Sequence, residues 1–399
     1  MNQKAEKQLI TQPLFIIFAL LAVIGLISWI LQFTKGLQLT NLGNFNTWGL
    51  YIVGFMIFIG IAAGSLLFSS SAYLFKGMAE YKPYARIAAY VGAIGSAVAA
   101  GLFIIVDIGN PLRVWYIIAS ANIQSPMFWD ALILTAYVVI GIVFTRKLIL
   151  VHEGKKGETS LRDISVVAFI AGLMVTVTSF VFAMQVARPF WHNPILPLSF
   201  LVAAVVVGLA MLVIVLPILN KTGYIEAGTD RLAKIGKIAG VALLVQLFIV
   251  LIEIVIGLYP GGGEKAAVIQ WLVSGAGAPF FWIQTIAILA GIVLLLTSKP
   301  GTLIPGAGAA IFGIFMVKYN MLQAQLLNPL ITYVGPPGYD AGEGVYLPSL
   351  IEIAVSVGII ALGGLLVMAG LQKLHLGAKI PPSSVNVDHR SQAVQAKQG

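Results

Sequence analysis

Ten times along this chain an apolar run continues for about twenty residues or more, the length that carries a helix across the ~30 Å hydrocarbon core of a bilayer. None of these runs alternates apolar and polar residues as a half-exposed strand does. Lipid offers backbone N–H and C=O groups no partner, so only helices and closed barrels span it. The fold expected is an all-α integral membrane protein with about ten transmembrane helices. They fall at residues 13–33, 48–75, 85–108, 127–150, 163–187, 195–219, 236–258, 279–298, 302–326 and 349–372. Composition agrees, with 59% of the 399 residues hydrophobic and 10% charged, against about 25% charged in an ordinary soluble domain. The stretch 266–274, "AAVIQWLVS", is too short to span and reads as an interfacial helix with Trp271 at headgroup depth. The first run lacks a small-residue cleavage pattern and is read as a retained helix rather than a signal peptide. Residues 1–376 then form one transmembrane domain, and the polar, Pro- and Ser-bearing tail 377–399 is expected to be disordered.

The Lys and Arg residues set the orientation. Sorted by the gaps between spans, nineteen of the 24 fall on one side, and only Lys35, Arg113, Arg188 and Lys265 on the other, with Lys318 inside a span. The positive-inside rule places the rich side, and with it both termini, in the cytoplasm of a multi-pass plasma-membrane protein. The net charge of +9 is therefore a topology signal, and nucleic acid is not an expected partner. The chain contains no cysteine, which rules out iron–sulfur clusters ligated by its own thiolates. Its four histidines, 152, 192, 375 and 389, lie in loops or at span ends, so intramembrane haem ligation is not expected. No metal-binding or nucleotide-binding motif is present.

The few charges near or within the spans collect on the lysine-poor side. At 1.5 Å per residue, Glu253 lies about 9 Å and Lys318 about 12 Å inside the nearer ends of their helices. Asp107 ends the third span, Asp130 begins the fourth, Arg188 ends the fifth and Glu352 begins the tenth. Taken singly, Arg188 and Asp130 read as charges that snorkel to the interface. Asp107 and Arg113 flank a Gly-Asn-Pro turn, where they either pair across the turn or belong to a site. Glu253 and Lys318 are deeper, at an insertion cost of ~2.5–3.5 kcal/mol each, and require a partner or a wet cavity. The other half of the bundle offers only hydroxyls and amides such as Ser69, Ser70, Ser71, Thr176, Thr178 and Gln246. Gly60 and Gly64 stand in GxxxG spacing, the pattern of close helix packing.

Five segments together resemble the NrfD/PsrC family, the membrane subunits of polysulfide reductase-like respiratory enzymes. They are "NTWGLYIVGFMIFIGIAAGSLL" (46–67), "DIGNPLR" (107–113), "SPMFWDALILTAYV" (125–138), "KYNMLQAQLLNP" (318–329) and "YLPSLIEIAVSVGI" (346–359). The resemblance covers about residues 13–372. It implies a subunit that reacts with a quinone or quinol of the menaquinone type as substrate and holds no redox centre. It further implies docking of an iron–sulfur, ferredoxin-like subunit on the outer face, which feeds a molybdenum-type catalytic subunit. By position, Asn46, Trp48, Asp107, Asn110, Arg113 and Asn320 would shape the quinone site. Taken with the buried charges, it suggests that Lys318, Asn46 or Trp48 would hold the ring oxygens, while Glu253, Asp130 or Glu352 would accept protons. Two positions depart from the family: Asn110 stands where a basic residue is usual, and Lys318 where Arg is usual. A competing class is a secondary transporter of a small polar or anionic solute, a fold often built on about ten spans. A purely structural anchor would leave Glu253 and Lys318 without a reason.

Overall fold

A computed structural model describes residues 12–43, 46–259, 261–328, 345–374 and 376–377. Ten helices are long and apolar enough to cross a membrane. In chain order, with one short helix between the seventh and eighth spans, they are α1 (Pro13–Lys35), α2 (Leu50–Leu74), α3 (Lys76–Asp107), α4 (Pro126–His152), α5 (Glu158–Ala183), α6 (Leu196–Lys221), α7 (Thr229–Leu258), α8 (Glu264–Val273), α9 (Ala278–Thr297), α10 (Pro300–Leu326) and α11 (Leu350–Lys373). No strand occurs among the described residues. The expected loop 334–344 and the tail from 378 onward lie outside them.

Starts and stops follow local chemistry. Proline opens α4 and α10, where its missing N–H costs nothing. Ser349 and Glu352 form a reciprocal capping box at the start of α11. Several boundaries differ from the hydropathy reading, the largest at α3, which begins at Lys76 rather than near residue 85 because a 3₁₀ stretch, Lys76–Tyr81, leads into it. Helix α7 begins at Thr229, because Asp230, Arg231, Lys234 and Lys237 continue the helix beyond its apolar stretch. Helix α5 ends at Ala183, after a 3₁₀ turn at Val175–Val177. Helix α3 is also irregular, with a π-helical stretch at Ala88–Gly95.

Helix α2 is the axis of the bundle and the most buried of the ten. It packs against α3, α5, α6, α10 and α11. Its crossing with α6 is made by small residues: a Cβ added to Gly64 would lie 2.0 Å from the Ala204 carbonyl oxygen, and one on Gly208 would meet the Gly64 backbone. Helix α1 lies at the periphery against α11, where Gly25 and Gly358 bring two backbones together. Its other faces expose Leu20, Val23, Ile27 and Ile30, as a lipid-facing helix should.

Long-range contacts sort to the two ends as an even number of spans requires. At the Lys/Arg-rich end, Lys82 pairs with Glu158, Lys234 pairs with Glu80 at 3.1 Å, and the Tyr224 hydroxyl donates to the Leu371 carbonyl. At the Lys/Arg-poor end, the Asn41 amide donates to Glu352 at 3.0 Å, and the Gln323 amide to the Trp48 carbonyl. Gly64→Val should therefore insert but unfold in detergent at a clearly lower temperature, since overpacking costs about 1–3 kcal/mol or more. Gly101→Ala, with open space around its Cβ, should leave the thermal midpoint in place.

Candidate functional site

The last three turns of α10 have no lipid-facing side. Every residue from Met316 to Leu326 is buried, although Lys318, Asn320, Gln323 and Gln325 are polar. Steps of 100° per residue send these four side chains to different neighbours. Asn320 donates to the Gln284 carbonyl of α9 at 2.7 Å, and Gln323 to the Trp48 carbonyl at 3.1 Å. Gln325 accepts from the Phe190 amide at 2.7 Å. The three amides thereby tie α10 to α9, to the chain entering α2 and to the segment before α6.

Lys318 is treated differently. It is 2% exposed, and its Nζ has no hydrogen-bond partner among the described residues. The ammonium sits 3.2 Å from the centre of the Phe200 ring. A desolvated cation–π contact is worth about 2 kcal/mol or more, which offsets most of the ~2.5–3.5 kcal/mol insertion cost. A small cavity lies on each side of it. One, of about 20 Å³, is lined by Thr176, Thr178, Phe200 and Gly60 among others, and the second, of about 30 Å³, by Glu253, Ser199, Gln284 and Asn320. A cavity needs roughly 10–15 Å³ to hold a water, so each is of water size and too small for a quinone ring.

Carboxylates stand on the far sides of both cavities. Glu253 lines the second cavity and accepts from the Asn193 amide at 2.7 Å. It is close enough for its charge to act on Lys318, yet the two make no ion pair. Asp130, which is buried where Glu253 is only partly so, accepts from the Thr178 hydroxyl at 2.6 Å. The 3₁₀ turn of α5 and the residue after it present Thr176 and Thr178 to the first cavity. Thus Glu253, Lys318 and Asp130, from α7, α10 and α4, are brought to one locale. An aromatic wall closes it. Trp48 stacks on Trp191 at 6.0 Å, Phe182 meets both rings edge-on, and Trp191 donates to the Met321 carbonyl.

Glu352 and Asp107 lie in a second locale, among α1, α2, α3 and α11. Glu352 is fully buried, and its oxygens accept from the Asn41 and Ser349 amides and the Tyr346 hydroxyl. Burial first, and donation to Glu352 second, hold the Tyr346 phenol protonated well above its ordinary range. Asp107 has one buried oxygen without a partner among the described residues, and both carboxylates act electrostatically on Tyr51, which donates to Gln32 at 2.5 Å. Asn46 is buried with neither amide atom bonded to a described residue. Asn110 and Arg113 are exposed, and Arg113 forms no ion pair with Asp107. Gln284, Gln323, Gln325 and Phe200 were not singled out by the sequence, although the polar spacing of "KYNMLQAQ" holds the signal for the two α10 amides.

An all-helical, multi-pass bundle with buried charges gathered at one end defines an integral membrane protein. Comparison gives the family: the profile described as "Polysulphide reductase, NrfD" matches residues 38–328, and the chain belongs to that family of oxidoreductase membrane subunits. It is 29% identical to a putative dimethyl sulfoxide reductase membrane subunit of Halobacterium salinarum, over 93% of each chain. It is 25% identical to a selenate reductase subunit of Mesobacillus selenatarsenatis, over 87% of this chain and 90% of that one. It is 27% identical to the Hdr-like menaquinol oxidoreductase integral membrane subunit of Archaeoglobus fulgidus, over 93% and 94%.

The Glu352 contacts predict a stability phenotype. Ser349→Ala should cost about 0.5–2 kcal/mol, as the loss of a helix cap does. Glu352→Ala should cost more, because it leaves the Asn41 amide and the Tyr346 hydroxyl unpaired as well. Thermal unfolding of the purified protein in detergent checks the order of the two.

Proposed function

We propose that this chain is the quinone- and quinol-binding membrane subunit of a respiratory oxidoreductase complex, and that it exchanges electrons between the quinone pool and an iron–sulfur subunit docked on its Lys/Arg-poor end. A molybdenum-type catalytic subunit would follow that partner. The observation that carries the proposal is Lys318, a buried cation with no hydrogen-bond partner among the described residues, set between two water-sized cavities with a carboxylate beyond each. The family assignment and the menaquinol named for the Archaeoglobus relative support it. The positive-inside bias supports an outward-facing site.

Oxidising a quinol releases two electrons and two protons. The electrons pass to the partner, and the protons need acceptors within hydrogen-bond reach or one water away. On this reading the side-chain amide of Asn46 and the Asp107 oxygen, neither with a partner among the described residues, hold ring hydroxyls near Trp48, with Asn110 and Arg113 at the entrance. Protons then move through the water-sized cavities among Glu253, Lys318 and Asp130. Asn320 holds its place by bonding Gln284. Glu352 anchors the neighbouring helix start, because its oxygens are already engaged. Quinone reduction would use the same groups in reverse. The interruptions in α3 and α5 are of the kind found in broken transporter helices, but the oxidoreductase relatives favour the quinone reading over a transporter.

In the intact complex, Lys318→Met and Glu253→Gln should each lower quinol turnover about 10²-fold or more, the lower range of a lost acid–base group, while the subunit still inserts and assembles. Full turnover in both variants would overturn the assignment. The subunit should also co-purify from native membranes with a cysteine-rich, iron-containing protein; isolation as a quinol-active single chain without iron would refute the partner.

A further inference from the structure

A wide cavity lies at the opposite end of the bundle from Lys318. It has a volume of about 340 Å³ and is lined by Tyr73, Lys82, Pro83, Arg86, Leu148, Val151, His152 and Glu158. That is roughly twenty times or more the ~10–15 Å³ a cavity needs to hold one water, and the walls come from the ends of α2, α3, α4 and α5. Arg86 stands within it, 7% exposed. Its Nε donates to the Leu376 carbonyl at 3.3 Å and its Nη2 to the Gly377 carbonyl at 2.6 Å. Both acceptors are neutral. None of the ion pairs among the described residues includes Arg86, so no described carboxylate balances the charge of this nearly enclosed guanidinium. A planar guanidinium is also the side chain best matched to a phosphate or carboxylate fork.

The second cation of the cavity, Lys82, is held by Glu158, and both partners are substantially exposed, at 38% and 57% of their side-chain surface. An exposed pair of this kind is worth about 0–1 kcal/mol. An anion entering the cavity can therefore take Lys82 from Glu158 at little cost. The Lys82 stem also lies against Tyr73, with Nζ 5.4 Å from the ring centre, which holds the ammonium over the cavity. Glu158 is the one acidic residue in the lining, and it sits at the exposed rim. Pro83, Leu148 and Val151 give the walls apolar surface, and His152 and Tyr73 complete the lining. The α4 and α5 helices expose Val139, Ile142, Val143, Val166, Val167 and Ile170 beyond it, a surface suited to acyl chains.

We infer that this cavity binds a phosphate-bearing anion between Arg86 and Lys82, with the headgroup of an anionic phospholipid as its source. Basic pockets between transmembrane helices at the lysine-rich side are where such headgroups bind. The headgroup would supply the counter-charge that no described carboxylate gives Arg86 and would link α3 to α4 and α5.

The experiment adds phosphatidylglycerol, phosphatidylcholine or inorganic phosphate to the delipidated full-length protein in detergent, follows the thermal midpoint, and counts bound lipid by native mass spectrometry. Phosphatidylglycerol should raise the midpoint and remain bound, and phosphatidylcholine should do neither. Arg86→Gln should weaken phosphatidylglycerol binding about tenfold or more, the loss of one hydrogen bond between charged groups. Should Arg86→Gln fail to fold, the rim variants decide, because both residues are exposed. Lys82→Gln should weaken binding, and Glu158→Gln, which frees Lys82, should strengthen it. A rise with inorganic phosphate alone supports the site with a soluble anion as its ligand. No rise with either phosphate source, or equal phosphatidylglycerol binding by wild type and all folded variants, overturns the inference.

Discussion

A cation buried among transmembrane helices cannot be solvated by lipid, so the protein must meet it from within. Much of the candidate site follows from how Lys318 is met. The Phe200 face lies under the ammonium, and two water-sized cavities flank it. Its helix is enclosed over three turns, which obliges Asn320, Gln323 and Gln325 to find partners on separate neighbours. Those partners include the backbone of Trp48 and of Phe190, so the aromatic wall is positioned by the same helix that carries the charge. An Arg at this position would carry five donors in a rigid fork, more than a ring face and two small cavities satisfy. The compact ammonium suits the space.

Glu253 and Asp130 extend the pattern. Each carboxylate is partnered by one neutral donor, Asn193 or Thr178, rather than by a cation. One neutral hydrogen bond orients a carboxylate while leaving its other lone pairs available to water. This differs from Glu352, whose two oxygens accept from two backbone amides and a phenol. These three carboxylates thus divide into a fixed one that begins a helix and two that retain spare capacity near cavities.

The architecture was largely legible in the sequence, because spanning length and apolar runs are tied by the thickness of the bilayer. The depth of Lys318 and Glu253 also marked them, since charges are so rare within these runs. The same count of depth failed for two other residues. Thr178 and Gln246, counted from sequence into the other half of the bundle, lie level with Asp130 and Ser199 instead, bonded at 2.6 and 2.8 Å. Counting residues from an apolar boundary fails where a helix overhangs its apolar stretch, as α7 does at Thr229, or tightens, as α5 does at Val175–Val177. Gln284, Gln323, Gln325 and Phe200 were silent for another reason. Neither an amide nor a phenylalanine reports its neighbours through hydropathy, and the enclosure of α10 on every side belongs to the tertiary structure alone.

The π-helical stretch of α3, Ala88–Gly95, lies between Arg86 at one end of the helix and Asp107 at the other. A wider turn accommodates an additional residue without lengthening the rod in proportion, so the two halves keep the facing they would have across a regular helix one residue shorter. In a regular α-helix each residue turns the chain by about 100°. A residue lost from the π-helical stretch is absorbed when the wide turn tightens to α geometry, whereas one lost from a regular part of the helix would swing Arg86 or Asp107 by about that angle. The stretch is thereby the part of this helix best suited to absorb a change of length.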